Sequence, residues 1–367
     1  MLAARSAIRE MQMKRKTTYL LWVGALVAVL TAPTASAGRP QLESPVLSAP
    51  PFGSLVGRTT LLASAPRHLS SVSWWGGTYQ APDGEQVTVY ISTSYPEADS
   101  VAQHWADFFV SLPHGKELSA AKVYIAPLPE VAEMCFTTEV LGCYGGQTLV
   151  VVGESTDGIA PSSIAAHEYG HHVAANRSNA PWAAIDWGTK QWASQVGVCS
   201  RVTSGMAYPG DEGVNYALNP GEAFAESYRV LVETNGTAAG YDWPIVDPSF
   251  QPTPESLAAI REDVLHPWAG STTKTIQGKF LRQRRTWSTQ LATLLDGDLR
   301  LRVTVPGGGA DDVTLLSSDG RTVLATDSWA SSGGKSLEYR VCGARSVRVR
   351  VTRGGAAARF TLQVQAP

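Results

Sequence analysis

The sequence predicts an α+β domain followed by an all-β sandwich domain. Two textures carry that expectation. Between about residues 71 and 270, short alternating stretches are interleaved with runs of helical spacing. After Gly270 the helical spacing stops, and strict apolar and polar alternation recurs with turn signals between the stretches. The 330 residues beyond position 37 also suit two domains better than one.

The first 37 residues stand apart from the fold. Lys14-Arg15-Lys16 precedes an apolar run from Tyr19 to Ala32, then Thr34-Ala35-Ser36-Ala37, the form of a signal peptide cleaved after Ala37. Met13 directly precedes the basic residues and is an alternative start. The apolar run is too short and wrongly flanked for a membrane span, so the expectation is a secreted, extracellular protein. Residues 38–70 are rich in proline, serine and leucine without a period, and read as an N-terminal extension or a short pro-segment.

From residue 71 the elements follow in order. Thr78-Tyr79 and the stretch Gln86 to Ile91 flank Pro82-Asp83-Gly84, a hairpin signal. Ala98, Val101, Trp105, Phe108 and Phe109 fall at helical spacing between about Glu97 and Ser111. Lys122 to Ala126 and Gln147 to Val152 read as further strands, giving a small sheet with one helix. Trp182, Trp187, Trp192, Tyr208 and Tyr216 crowd the stretch between Arg177 and Asn219 and are expected to bury as core. In the last domain, residues 271–367, Leu299 to Val305, Val347 to Val351 and Phe360 to Val364 alternate strictly, and Ser318-Asp319-Gly320-Arg321 is a turn.

The chemistry centres on His167-Glu168-Tyr169-Gly170-His171. Two histidines four residues apart share one helix face, where both imidazoles reach one metal ion. Glu168, next to the first, can take a proton from an attacking water and pass it to a leaving amine. Ile164, Ala165, Ala166, Val173, Ala174 and Ala175 make this a packed helix, and buried histidines and a glutamate need partners. His172 points off the metal face and reads as a satisfied or exposed histidine.

A third ligand is required. Ala174 and Arg177 stand where a metzincin carries glycine and a ligand, and Gln191 stands where an aspzincin carries aspartate. Asn219-Pro220-Gly221-Glu222-Ala223-Phe224-Ala225-Glu226 places two glutamates at i and i+4 on one helix face. From Leu149 to Val232 the chain resembles the gluzincins, most nearly the Glu-x-x-Ala-Glu pattern of the peptidases that include anthrax lethal factor. That resemblance implies an α+β zincin-like domain over residues 71–270, with Zn²⁺ held by His167, His171 and Glu222. Glu226 would orient a ligand histidine. On a local reading Glu222 instead closes a capping box behind Asn219 and Pro220. The resemblance also makes Leu149-Val150-Val151-Val152 the edge strand along which a peptide would pair, while pattern alone equally allows a core strand. Tyr216, one position away from the family's oxyanion-stabilising tyrosine, and His266 are the candidate donors to a developing alkoxide. Asp186, Asp211 and Glu212 fall in the same region without an assigned role. The C-terminal strands resemble the pre-peptidase-type modules of secreted bacterial proteases, and no histidine follows His266, so no catalysis is expected there.

Four cysteines allow three pairings. The short loop makes Cys135–Cys143 the favoured bridge, and Cys199–Cys342 follows by elimination, tying the domains together. Residues 38–270 carry 10 Lys+Arg against 24 Asp+Glu, and residues 271–367 carry 15 against 7. Opposite fields of this size favour internal docking or an anionic cell-surface polymer as partner, or simply a solvated face. No nucleic-acid motif is present. The expectation is therefore a secreted zinc-dependent peptidase acting on a peptide or protein substrate, with Glu168 as general base and acid. The alternative is a zinc-bearing surface-binding or structural protein that does not turn over.

Overall fold

The computed structural model describes residues 40–45, 58–82, 84–137, 140–239, 246–281, 283–306, 312–327, 335–343, 345–354 and 359–367. The expected signal peptide, residues 46–57 of the extension and Asp83 of the hairpin turn lie outside them.

An α/β region comes first, followed by a β-rich region. The first comprises β1 (Arg58–Leu61), β2 (Trp74–Gln80), β3 (Gln86–Ser92), α1 (Asp99–Ser111), β4 (Lys122–Ala126), α2 (Leu128–Met134), β5 (Val140–Gly145) and β6 (Thr148–Val152). Then come α3 (Pro161–Ala175), α4 (Ala184–Trp187), α5 (Lys190–Val196), α6 (Val198–Thr203), α7 (Pro220–Glu233) and α8 (Pro254–Leu265). The six strands form one sheet in the order β1-β5-β6-β4-β3-β2. β2 and β3 make the expected antiparallel hairpin, and β3, β4 and β6 run parallel. β5 is antiparallel to β6, and β1 is parallel to β5.

The edge-strand reading of Leu149 to Val152 is wrong. β6 is paired on both sides and all five of its residues are buried. Its unbroken apolar run is the mark of an interior strand covered on both faces. The strand beside it, β5, is also wholly buried, and β1 lies along its outer edge. The extension is thus partly built into the sheet.

Helix α3 lies against β5 and β6 on one side and α7 on the other, and its residues from Pro161 to Ala174 are all buried. A helix enclosed on every side shows little amphipathic contrast. Gly170 sets the spacing to α7: a Cβ there would stand 2.8 Å from Ala225 Cα and 3.0 Å from the Ala225 carbonyl oxygen. Tyr169 completes the packing, with its ring 5.8 Å from Phe109 of α1 and 5.9 Å from Tyr228 of α7. At the start of α7, Asn219 accepts the Gly221 N–H at 3.0 Å and Pro220 takes the first helical position.

The second region holds β7 (Thr272–Lys279), β8 (Thr286–Ala292), β9 (Gly297–Thr304), β10 (Asp312–Ser317), β11 (Val323–Thr326), β12 (Lys335–Val341), β13 (Ser346–Thr352) and β14 (Arg359–Ala366). They form two antiparallel sheets, β11-β10-β13-β8 and β12-β9-β14-β7. Alternate residues such as Leu301, Val303, Val349, Val351, Phe360 and Leu362 turn inward to a shared core, as the alternation required. Exposed arginines pair in place, Arg300 with Glu338 at 2.9 Å and Arg340 with Asp298 at 3.0 Å.

The two regions are fastened together. Both expected bridges are present, Cys135–Cys143 with Cα atoms 5.9 Å apart and Cys199–Cys342 with Cα atoms 5.2 Å apart. The second joins α6 to the residue after β12. Beside it Lys190, 1% exposed, donates to the Ala180 and Asp296 carbonyl oxygens at 2.7 and 2.6 Å, with its ammonium 4.5 Å from the Trp268 ring centroid. Burial pulls this amine down to about 8, against the opposing pull of Asp296, Asp298 and Asp263. Among the described residues, no helix is long and apolar enough to cross a membrane.

Candidate metal centre

Helix α3 presents His167 and His171 one turn apart, and the first turn of α7 brings Glu222 against them. The three ligand atoms lie within 4.8 Å of one another, and all three residues are 1% exposed or less. Glu222 Oε2 is 3.2 Å from His167 Nε2, and Oε1 is 3.3 Å from His171 Nε2. The second approach is close without being a hydrogen bond: both His171 ring nitrogens and Glu222 Oε1 are buried without a hydrogen-bond partner. The unsatisfied His171 nitrogens and Glu222 oxygen are costly to bury, and a single cation coordinated by both residues together with His167 removes the deficit. Two imidazoles and a carboxylate can therefore hold a metal. Tyr144 of β5 stacks on His171 at 6.3 Å and helps fix its plane.

A second layer of charge sets the tautomer of His167. Its Nδ1 hydrogen bonds to Glu226 Oε2 at 3.0 Å, which leaves Nε2 aimed at Glu222. Burial pulls the His167 pKa down, but the hydrogen bonds and charges of Glu222 and Glu226 override it and push it up to about 10. Burial raises Glu226, yet Arg229 and His167 outweigh it and bring the carboxyl to about 2. Arg229 Nη2 donates to Glu226 Oε1 at 2.6 Å and its Nη1 to Glu233, which also accepts from Ser163 at 2.6 Å. Ser163 and His167 lie one turn apart on α3, so the network runs from α3 through α7 and back to α3.

Glu168 is fully buried, and neither carboxylate oxygen has a hydrogen-bond partner. Burial holds it well above the usual carboxyl range; His167 lowers it, and the Glu222 and Glu212 charges raise it further. The absence of a side chain at Gly142 makes room for it, since a Cβ there would fall 2.8 Å from Glu168 Oε1. The Tyr216 hydroxyl donates to Glu222 Oε2 at 2.7 Å, and Asn219 caps α7, so Glu222 turns inward rather than closing a capping box.

The structure thus brings together His167, His171, Glu222, Glu226, Glu168 and Tyr216. His172 is buried off the metal face, its Nε2 2.8 Å from the Glu117 carbonyl oxygen and its Nδ1 without a hydrogen-bond partner. His266 does not join the site: its side chain is 71% exposed and pairs with Glu262. Asp211 bonds locally to Gly213 and Asn215. Glu212 does reach the centre, and Asp186 lines a cavity beside it. Arg229, Glu233, Ser163 and Thr59 had no assigned role in the sequence reading. The i, i+3 and i+4 spacing of Glu226, Arg229 and Glu233 was the available signal for two of them. Nothing in the sequence marked Thr59.

No family model matches the chain, and no curated protein does. Among solved structures it is similar to the pre-peptidase C-terminal domain of collagenase from Bacillus anthracis, at 14% identity over 25% of this chain and 88% of that one, with a TM-score of 0.22. It is also similar to PliG, a periplasmic inhibitor of g-type lysozyme from Aeromonas hydrophila, at 11% identity over 26% of this chain and 87% of that one, with a TM-score of 0.21.

Proposed function

We propose that the chain is a secreted zinc-dependent peptidase, with a gluzincin-like catalytic domain over residues 71–270 and a β-sandwich accessory domain over residues 271–367. The observation that carries this reading is the buried convergence of His167, His171 and Glu222 beside the unpartnered carboxylate of Glu168. A purely structural metal site needs no such carboxylate. Zinc fits the donor set, and when bound it supplies Lewis-acid polarisation of an acyl oxygen and acidifies water.

The chain's own residues do the rest. Glu168 accepts the proton of the attacking water and returns it to the leaving amine. Glu226 holds His167 in the tautomer that leaves Nε2 available, and Arg229 keeps Glu226 ionised. Tyr216 carries a phenolic hydrogen at the edge of the ligand set, placed to donate to a developing oxyanion. Metal analysis of the purified chain, with chelator-sensitive cleavage of a generic protein substrate, tests the reading. A chain that binds no zinc, or one that binds it and cleaves nothing even when β1 is removed, refutes it.

A further inference from the structure

Thr59 sits where nothing in the proposed reaction needs it. Its hydroxyl lies 2.8 Å from His167 Nε2, 3.1 Å from the Tyr216 hydroxyl and 3.3 Å from Glu222 Oε2. The residue is 7% exposed and belongs to β1, which runs parallel along the outer edge of β5 in the register Thr59 with Gly142, Thr60 with Cys143 and Leu61 with Tyr144. Its next neighbours are held from the opposite side. Glu212 Oε2 accepts the Leu61 N–H at 3.1 Å and the Thr60 hydroxyl at 3.3 Å, while its Oε1 accepts from Asn219 Nδ2 at 2.8 Å. Beyond them Leu61 and Leu62 border a cavity of about 460 Å³ shared with Tyr144, Ile185, Asp186 and Glu212.

The geometry points to β1 as a resident occupant of the groove in which an extended peptide binds, with the uncut chain held latent and Glu212 the residue that grips the backbone of whichever strand lies there. This rests on the peptidase reading above. Strand pairing to β5 and an N–H bonded to a carboxylate recognise main chain rather than a particular side chain, so the class of ligand is an extended polypeptide. What β1 offers to His167 and Glu222 is a hydroxyl, not an acyl carbon, so the seated atom gives nothing to hydrolyse.

The occupant is lightly held. Thr60, Leu61 and Leu62 are only partly buried and residues 63–65 are exposed. Covalent connection compensates, because a tethered segment acts at high effective concentration and can gain 10²- to 10⁴-fold in apparent affinity. Upstream the chain is pinned by Glu43, whose N–H reaches the Gly153 carbonyl oxygen at 2.9 Å and whose carboxylate accepts from Ser155 at 2.8 Å. Downstream it continues into β2 through a stretch in which Arg67, exposed, is the sole lysine or arginine between Leu62 and Trp74. Hydrolysis of the Arg67–His68 bond adds water across it, leaving a carboxylate on Arg67 and an amine on His68, and removes the downstream tether.

The test uses the zinc-loaded full chain, intact or cut by limited trypsin after Arg67 and passed through gel filtration, with Arg67→Gln as the uncuttable control. Two readouts are followed: the rate at which excess chelator strips zinc, and cleavage of a generic protein substrate. The cut chain should lose zinc at least about tenfold faster and cleave at least about tenfold faster than the intact chain. A synthetic peptide of residues 58–65 should bind it and reverse both changes, and more weakly so in Glu212→Ala. If cutting disrupts the fold, uncut Thr59→Ala decides by the same chelation assay, again with faster stripping expected. Equal stripping rates for intact, cut and Thr59→Ala chains overturn the inference while leaving the zinc site intact. Absence of zinc from all of them sinks the peptidase reading instead.

Discussion

The two glutamates of α7 make opposite demands on a metal, and truncating them one at a time separates their roles. Glu226→Ala removes the acceptor 3.0 Å from His167 Nδ1 without touching a ligand atom. The imidazole then loses its fixed tautomer, and loss of such a partner typically costs 10- to 100-fold in metal affinity, or about 1.4–2.7 kcal/mol. The same change strips Arg229 of the carboxylate 2.6 Å away, and because both groups are fully buried the fold should lose about 3–5 kcal/mol. Glu222→Ala instead deletes one of three ligands and also removes the acceptor to which the Tyr216 hydroxyl donates at 2.7 Å. Zinc should then be lost under mild chelation. Competition against a chromophoric chelator gives both affinities, and thermal unfolding of the metal-free proteins gives the stability change. The expected order is a larger affinity loss for Glu222→Ala and a clear stability loss for Glu226→Ala. The reverse order in affinity, or unchanged affinity in both, would refute the assignment of ligand and support.

Glu168→Gln should retain zinc and lose about 10²- to 10⁴-fold in turnover, read by metal analysis beside a peptidase assay, and near-normal activity would end its role as base. Gly170→Ala should push α7 away from α3, given the 2.8 Å clash with Ala225, costing about 1–3 kcal/mol and weakening zinc binding although no ligand is changed. Lys190 binds fewer protons folded than unfolded between its depressed value of about 8 and the ordinary 10.5, so its contribution to stability rises with pH through that window. Denaturant midpoints measured across it should show a rising component that Lys190→Met lacks. Non-reducing peptide mapping should recover Cys199 joined to Cys342, and any pairing of Cys199 with Cys135 or Cys143 would break the inter-region tie.

The legible parts of the fold are those whose burial is one-sided or complete over a regular element. β3, α1, β13 and β14 carried a clean period and formed where expected. β6 was legible as a strand but not in its place, because a short apolar run does not say how many neighbours it has. β5 was missed: Gly142, Cys143 and Gly145 supply little β propensity, and its glycines serve clearance for Glu168 and for the chain at Ser64. The ligand set could be assembled because helical spacing places side chains on a face with few alternatives. Thr59 and Glu212 reach the same centre from a lone strand and a loop, where spacing carries no such geometry.

The two disulfides differ most in how far apart their halves lie, 8 residues against 143. A chain is made from its N-terminus, so Cys143 arrives within a second or so of Cys135, while Cys342 trails Cys199 by on the order of 10 s at ordinary synthesis rates. Closing a short loop is also the easier event. The first pair can therefore be sealed before Cys199 emerges, and of the three pairings four cysteines permit, the two crossed ones lose their partners in advance. Cys199 is then left as a lone thiol until Cys342 is made just after β12, so the joining of the two regions waits for β7 to β12 but not for β13 and β14.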